Sequence, residues 1–408
     1  MKLIVLTYGT EGDTRPLAAL CRTLLDAGHD VCLYADRNTL GSAKELNIPH
    51  EALSGNIKEQ LADMLKRGKG VNATVSGLSH IANQETESWM RQAAAAAQDC
   101  DGIIVSGLTA FVGLSVAEYL KIPLIGAGMI PISPTRSFPS PFIPSDSLPA
   151  FLNRPSHHMV NWLLWLSFRK AVNQARKSVL GMNAKHRLWT GHPMLYGVSP
   201  ALLPPPDDWP DNTRLCGQWR APTLDWEPPA SLQAFLASGD PPIFLGFGSM
   251  VGFDQNHLLS LFTEVLGNER VIIQSGWSQF ADAALPDHFL KIDHVPHDWL
   301  FPRTSMAIHH GGSGTTHSAC RAGIPSIALP FAGDQFFWAS QLKKRGIMDS
   351  QLSTKTINAT TIRQSIDYAR TDKARSSAAE LGRQMTNENG NQTALNMIES
   401  LLEQARKR

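Results

Sequence analysis

The sequence predicts two α/β domains, each built on a doubly wound parallel sheet and facing each other across a cleft. Three observations predict this. Strand-like and helix-like patterns alternate from the first residues. The alternation stops in a proline-rich stretch and then restarts. The length of 408 residues exceeds what one core ordinarily organises.

Lys2–Thr7 (KLIVLT) is a short apolar run that ends in the glycine-containing turn Tyr8–Asp13. Arg15–Ala27 carries Leu17, Leu20, Leu24 and Leu25 on one helical face, with Gly28 as its stop. Asp30–Tyr34 (DVCLY), Gly102–Ser106 (GIIVS) and Pro123–Ala127 read as further buried strands, the last two separated by a helix around Phe111–Leu120. Right-handed crossovers stack such units into one sheet. Ser133–Pro155 is rich in Pro and Ser, and it leads into Trp162, Leu163, Trp165 and Phe168 on a helix. Leu203–Pro229 holds so many prolines that it reads as a linker, because proline breaks helices and cannot donate to a ladder. The alternation resumes with Ile243–Gly248, a helix near His257–Leu266, Arg270–Ser275, Met306–His309 and Ser326–Pro330, and Thr360–Gln404 looks helical. The expected boundaries are 1–205 for an N-terminal domain, 206–235 for the linker, 236–385 for a C-terminal domain, and 386–408 for a last helix able to cross back. Open α/β sheets bind ligands at the C-terminal ends of their strands, so functional motifs should converge on the cleft.

Composition narrows the class of function. A hydrophobic share of 43% and a charged share of 18% describe a soluble globular chain. Lys+Arg 37 against Asp+Glu 36 gives no basic excess of the kind nucleic-acid binding requires. The basic end Gln404–Arg408 reads as a solvated helix terminus. Cys21, Cys32, Cys100, Cys216 and Cys320 are scattered, odd in number and never paired as CxxC, which fits a reducing cytoplasm and no structural zinc. The first residues run straight into a strand without a secretory pattern, and the richest apolar stretch, Val160–Phe168, is too short to span a bilayer.

The strongest local signal is Ala307–Thr316 (AIHHGGSGTT), directly after an apolar strand. Its glycines allow close backbone approach. If Ser313–Thr316 opens a helix, its unpaired N–H groups and dipole favour an anion, and the hydroxyls add donors. A diphosphate suits that turn, although any strand–helix turn can be rich in Gly and Ser. Gly333-Asp334-Gln335 follows the next strand and offers a carboxylate beside a carboxamide to sugar hydroxyls; in isolation, an Asx-turn or helix cap at Asp334 explains it as well. Phe336, Phe337 and Trp338 come next and could wall the site, and Ser249 in GFGS ends another strand as a further phosphate contact.

These segments, with Arg321–Pro325 and Pro330–Gln335, resemble the donor-binding signature of glycosyltransferase family 1, in particular its bacterial antibiotic and sterol glycosyltransferases. Gly9–Pro16 is similar to their N-terminal turn, and Ser275-Gly276-Trp277 and Val295-Pro296-His297 to their nucleotide-binding loops. The likeness runs over essentially the whole chain and is weakest over residues 130–200. It implies a GT-B fold with two Rossmann-like domains, inversion at the anomeric carbon and no metal or other cofactor, with UDP-glucose as the expected donor. The one Asp-x-Asp, Asp99/Asp101, precedes its strand and so lies on the wrong side for a metal at the cleft. By matching positions, His310, Gly312, Ser313, Gly314, Thr315 and Ser249 would hold the diphosphate, Asp334 and Gln335 the sugar, and Trp277 and the backbone near Val295 the base. Where many relatives carry a ribose-holding Glu, this chain has Ser318.

Inverting transfer needs a base for the acceptor hydroxyl, and the resemblance puts it at Asp13. On its own terms Asp13 is also a sound first-turn residue of the following helix. Burial would help by raising its pKa. His310 reads better as a leaving-group stabiliser. Phe138, Phe142, Trp162 and Trp165 fall where relatives line the acceptor pocket and suit a flat apolar acceptor such as a sterol, polyketide, flavonoid or lipid. Ordinary packing of a helix on the domain core accounts for them equally well, and transient membrane contact is a third reading. Two rival functions are a nucleotide-sugar-binding protein without catalysis and a Rossmann oxidoreductase. Against the second, the first turn has no GxGxxG.

Overall fold

The first sheet has seven parallel strands in the order β3-β2-β1-β4-β5-β6-β7. These are β1 Lys2–Leu6, β2 Asp30–Asp36, β3 His50–Leu53, β4 Gly102–Val105, β5 Leu124–Gly128, β6 Met194–Tyr196 and β7 Thr213–Leu215. The second sheet has five parallel strands in the order β10-β9-β8-β11-β12: β8 Ile243–Gly246, β9 Val271–Gln274, β10 Phe289–Ile292, β11 Met306–His309 and β12 Ser326–Ala328. The computed structural model describes residues 1–56, 71–144, 148–221, 226–248, 254–274, 285–293 and 295–407.

In both sheets the strand order reverses beside the first strand of the domain, β1 in one and β8 in the other, which creates the crevice where open α/β sheets hold ligands. The strands are buried on both faces, as continuous runs such as Leu3–Leu6 require when helices cover both sides. Helices α1 Glu11–Asp26, α2 Gly41–Glu45, α3 Val71–Ala96, α4 Ala110–Leu120 and α5 Asn153–Leu180 belong to the first domain. The second carries α6 Ala230–Ala237, α7 Gln255–Val265, α8 His297–Leu300, α9 Ser313–Arg321, α10 Gln335–Lys344, α11 Ala359–Ala369 and α12 Asp372–Thr386.

Two elements differ from the sequence expectation for clear reasons. Helix α1 begins at Glu11 rather than Arg15, because Thr10 and Asp13 form a capping box ahead of Pro16. Strand β7 lies within the proline-rich stretch read as linker. Only three residues pair, and they sit at the sheet edge, where flanking prolines are tolerated.

The last helix, α13 Gly390–Arg406, packs on the first domain rather than the second. Ala394, Leu395, Ile398 and Leu402 join the core formed by Leu3, Leu17, Leu20 and Leu24. A hydrogen bond between His29 Nε2 and Glu399 at 2.9 Å and an ion pair between Asp101 and Arg406 at 2.6 Å fasten it. The domains also share a core in which Tyr196, Val198 and Leu202 meet Phe337, Trp338 and Leu342. That packing sets the two crevices opposite each other.

Candidate functional site

Asp13 stands in the first turn of α1, at the C-terminal end of β1. Its Oδ2 accepts the Thr10 N–H at 2.7 Å and the Thr10 hydroxyl at 3.1 Å. It caps the helix, and its charge is felt by Asp334 of the other domain. Gly9 makes its position possible, since a Cβ there would lie 2.7 Å from Asp13 Cγ and closer still to Oδ2. Burial raises the Asp13 pKa, while the two Thr10 bonds oppose the rise.

Across the crevice, β11 runs into the turn His309–Gly312 and then α9. Gly312 is the N-cap and has no side-chain oxygen to cap with, so first-turn N–H groups of Ser313, Gly314 and Thr315 lack a side-chain capping partner. A methyl at Gly314 would meet open space, whereas one at Gly312 would lie 3.1 Å from two ring carbons of His310. On its other face the His310 ring is equally close to Gly248, at the end of β8, where a Cβ would be 3.1 Å from Cε1. The imidazole is thus clamped between two glycine backbones, and burial lowers its pKa to about 4. At neutral pH it is an uncharged hydrogen-bonding group. His309 is held still more firmly neutral, at about 3, with its Nδ1 accepting the Gly311 N–H at 3.0 Å. Gly311 has a φ of +83° and packs against the Gln335 backbone, so the turn after β11 and the turn leading into α10 touch.

Asp334 precedes α10 and accepts the Trp338 indole N–H at 2.7 Å. Burial raises its pKa to about 6, and the charge of Asp13 adds to the rise. The two carboxylates, one from each domain and 321 positions apart in sequence, therefore share one crevice. Gln335 is buried, and its Oε1 accepts the N–H groups of Phe331 at 2.7 Å and Ala332 at 3.1 Å. Ser313 donates its hydroxyl to the Met129 carbonyl of the first domain at 3.1 Å. Its hydroxyl is thereby engaged between the domains, which leaves its backbone N–H as the donor at the start of α9.

The expected ribose position, Ser318, is nearly buried and accepts a hydrogen bond from the Gln218 amide at 3.4 Å. Gln218 in turn accepts from Arg321 Nε at 3.3 Å. Val295 buries its side chain in the core with Ile272 and Leu300, consistent with a backbone contribution. Ser249 and Trp277 lie outside the described residues.

The four aromatics expected at the acceptor do not converge. Phe138 is buried against Phe337 and His157. Trp165 is 1% exposed, packed on Phe111 and Trp189 in the domain core. Phe142 and Trp162 are 40% and 55% exposed. Core packing accounts for the first pair. Likewise Phe337 and Trp338 are fully buried and do not wall the site; Trp338 instead orients Asp334. The partners Gly9, Thr10, Gly248 and Trp338 were not legible as site residues, because their roles depend on which neighbour the fold brings to them. The same holds for His317. Its Nε2 accepts the Ser199 N–H of the first domain at 3.2 Å, and its Nδ1 bonds the Ser313 carbonyl at 2.7 Å.

Two facing doubly wound domains with a shared crevice are the GT-B arrangement. Comparison with known proteins agrees. Residues 262–401 match the family model of the erythromycin biosynthesis protein CIII-like C-terminal domain. Sterol 3-beta-glucosyltransferase of Aspergillus clavatus is 31% identical over 100% of this chain and 30% of its own length. That of Saccharomyces cerevisiae is 31% identical over 99% of this chain and 35% of its own. The chain thus spans about a third of the curated relatives it matches. Among solved structures, the glycosyltransferase of kitacinnamycin superposes with a TM-score of 0.72 at 19% identity, covering 98% of this chain and 99% of that one. The glycosyltransferase VinC, solved with dTDP, superposes with a TM-score of 0.67 at 16% identity, covering 99% and 100%. The chain therefore has the GT-B fold of these solved structures and is similar in sequence, over its whole length, to about a third of the length of the sterol 3-beta-glucosyltransferases.

Proposed function

We propose that this protein transfers glucose from UDP-glucose to a hydroxyl of a sterol-like hydrophobic acceptor, with inversion and without a metal ion. The observation that carries this reading is the pair Asp13 and Asp334, set on opposite sides of one crevice beside the uncapped start of α9. Asp13 Oδ2 is taken up by Thr10, so Oδ1 receives the acceptor's proton as its oxygen attacks the anomeric carbon. The bond from that carbon to the diphosphate breaks as the new one forms. The leaving charge passes to the first-turn N–H groups of α9, aided by the neutral His310 as a hydrogen-bond donor. Asp334, held by Trp338, accepts from hydroxyls of the donor sugar. The sterol relatives favour a sterol among hydrophobic acceptors, and they favour glucose.

The test is a mass-spectrometric screen of nucleotide-sugar donors against sterols and other hydrophobic alcohols, run with and without EDTA. Glucosylated sterol from UDP-glucose, insensitive to EDTA, is the expected product. Asp13→Asn should lower turnover by about a hundredfold or more while UDP still binds. UDP-glucose binding with no product from any acceptor would instead make the chain a nucleotide-sugar-binding protein. Undiminished transfer by Asp13→Asn would remove Asp13 as the base.

A further inference from the structure

Six large apolar side chains are strongly exposed among the described residues, and five of them fall between positions 142 and 163: Phe142, Phe151, Met159, Trp162 and Leu163. Phe151, just ahead of α5, is 78% exposed. Met159, Trp162 and Leu163 lie at spacings of three and four on α5, so they form one stripe on its outer face. The opposite face carries Trp165, Phe168 and Val172 into the domain core. Helix α5 is therefore apolar on two sides, and among the described residues only one of them is covered.

The charge around this stripe is just as uneven. From Ser147 to Pro206 the chain has no Asp or Glu, yet it has Arg154, Arg169, Lys170, Arg176, Lys177, Lys185 and Arg187, in a protein whose net charge is only +1. Glu118 neutralises Arg176 and Lys185. Arg154, Arg169 and Lys170 are exposed at the two ends of the apolar stripe. Arg154 also feels the charge of Asp208, so the stretch lacks acids along the chain but not everywhere in space. An interface of acyl chains beneath anionic headgroups calls for both features together: an apolar face with Trp, Phe and Leu, flanked by Arg and Lys and free of carboxylates. No helix among the described residues is long and apolar enough to cross a membrane, so the contact is with a surface.

We propose that the outer face of α5 and the segment before it dock this protein on an anionic lipid surface. Phe151, Met159, Trp162 and Leu163 enter the headgroup boundary, and Arg154, Arg169 and Lys170 pair with lipid phosphates and carboxylates. This inference does not depend on sugar transfer, since a protein without catalysis would dock in the same way.

Sedimentation with vesicles of phosphatidylcholine alone, and of phosphatidylcholine with about a third phosphatidylserine, tests it on the full chain. The protein should partition at least tenfold better onto the anionic vesicles, because each cation near such a surface contributes about fivefold. Raising salt to 0.5 M should remove most of that gain, by screening. The triple change Phe151→Ser, Met159→Ser, Leu163→Ser should abolish sedimentation, and Arg169→Glu with Lys170→Glu should remove the anionic preference. Both variants should keep the wild-type melting temperature, since they alter exposed side chains. No sedimentation of the wild type, equal partitioning on both vesicles, or wild-type partitioning by the triple variant overturns the proposal. Concentration-dependent dimerisation in lipid-free solution, lost in the triple variant, overturns it too, by assigning the face to a second copy.

Discussion

Replacing Gly9 with alanine adds one methyl group, and the structure says where it goes. It would lie 2.7 Å from Asp13 Cγ and 3.1 Å from Asp13 Cβ, whereas carbon atoms pack at about 3.5 Å or more. Gly9 itself needs no left-handed backbone, so alanine brings no backbone strain and the whole effect comes from that contact. The carboxylate must move by roughly 0.8 Å, the shortfall from ordinary packing distance. Such a move stretches the bonds to Thr10, now 2.7 and 3.1 Å. The weakened cap should lower stability by about 1 kcal/mol, and a displacement of that size in a reacting group should lower kcat by about a hundredfold. Gly12→Ala is the matched control in the same turn. Its methyl would find nothing nearer than the Thr10 hydroxyl at 3.5 Å, and alanine favours the helix. The assay is steady-state glucosyl transfer, with UDP affinity from calorimetry and melting temperature measured alongside. Gly9→Ala should lose turnover and keep UDP affinity within about twofold of wild type, since the turn proposed to hold the nucleotide lies on the other domain. If both alanine variants turn over alike, the position of the Asp13 carboxylate does not govern the reaction, and the reasoning fails.

The remaining predictions concern the second carboxylate, the anion turn and the aromatics. Asp334 has a folded pKa of about 6 against an ordinary value of 3.8. A raised carboxyl stabilises the fold fully below the lower value and loses that contribution as pH rises through the upper one. At pH 7.5 the ionised group therefore costs about 3 kcal/mol. Asp334→Asn should raise the melting temperature by a few degrees at pH 7.5 and leave it unchanged near pH 3.5 in thermal unfolding, while lowering kcat with glucose donors. Gly312→Ala pushes a methyl to 3.1 Å from the His310 ring carbons, and calorimetry should show UDP binding weakened by about tenfold or more. Trp165→Ala should lose about 3–5 kcal/mol in urea unfolding, as emptied core positions do, whereas Trp162→Ala should stay within about 0.5 kcal/mol of wild type. Equal losses at the two positions would contradict their burial of 1% and 55%.

Much of this molecule is readable from residue order, and the unread part has a common cause. The strands of both sheets are short apolar runs, and the anion turn is a strand followed by glycines and hydroxyls at the head of a helix, so both are local properties of neighbouring residues. Asp13 and Asp334 were legible for the same reason, since each stands in a turn right after a core strand. The aromatic helix was not. Trp162 and Trp165 are three positions apart and project within about 60° of each other on a helical wheel. Periodicity marks α5 as apolar without saying where its covered side ends. That boundary depends on how α3 and α4 pack on α5, which buries Trp165 and Phe168 and leaves Trp162 exposed. The short edge strand β7 was hidden because its three residues pair only once β6 presents an edge to them.

By itself, then, the amino-acid sequence determined the alternating strands and helices of both sheets, the glycine-rich turn before α9 and the turns that carry the two carboxylates, because adjacency in the chain is enough to create a strand end or a helix start. Only the tertiary structure decided that Asp13 and Asp334 feel each other's charge, that Ser313 ties the domains together through Met129, and that the last helix returns to the first domain. Those facts depend on surfaces hundreds of residues apart coming together, and local pattern carries no information about distance across a cleft.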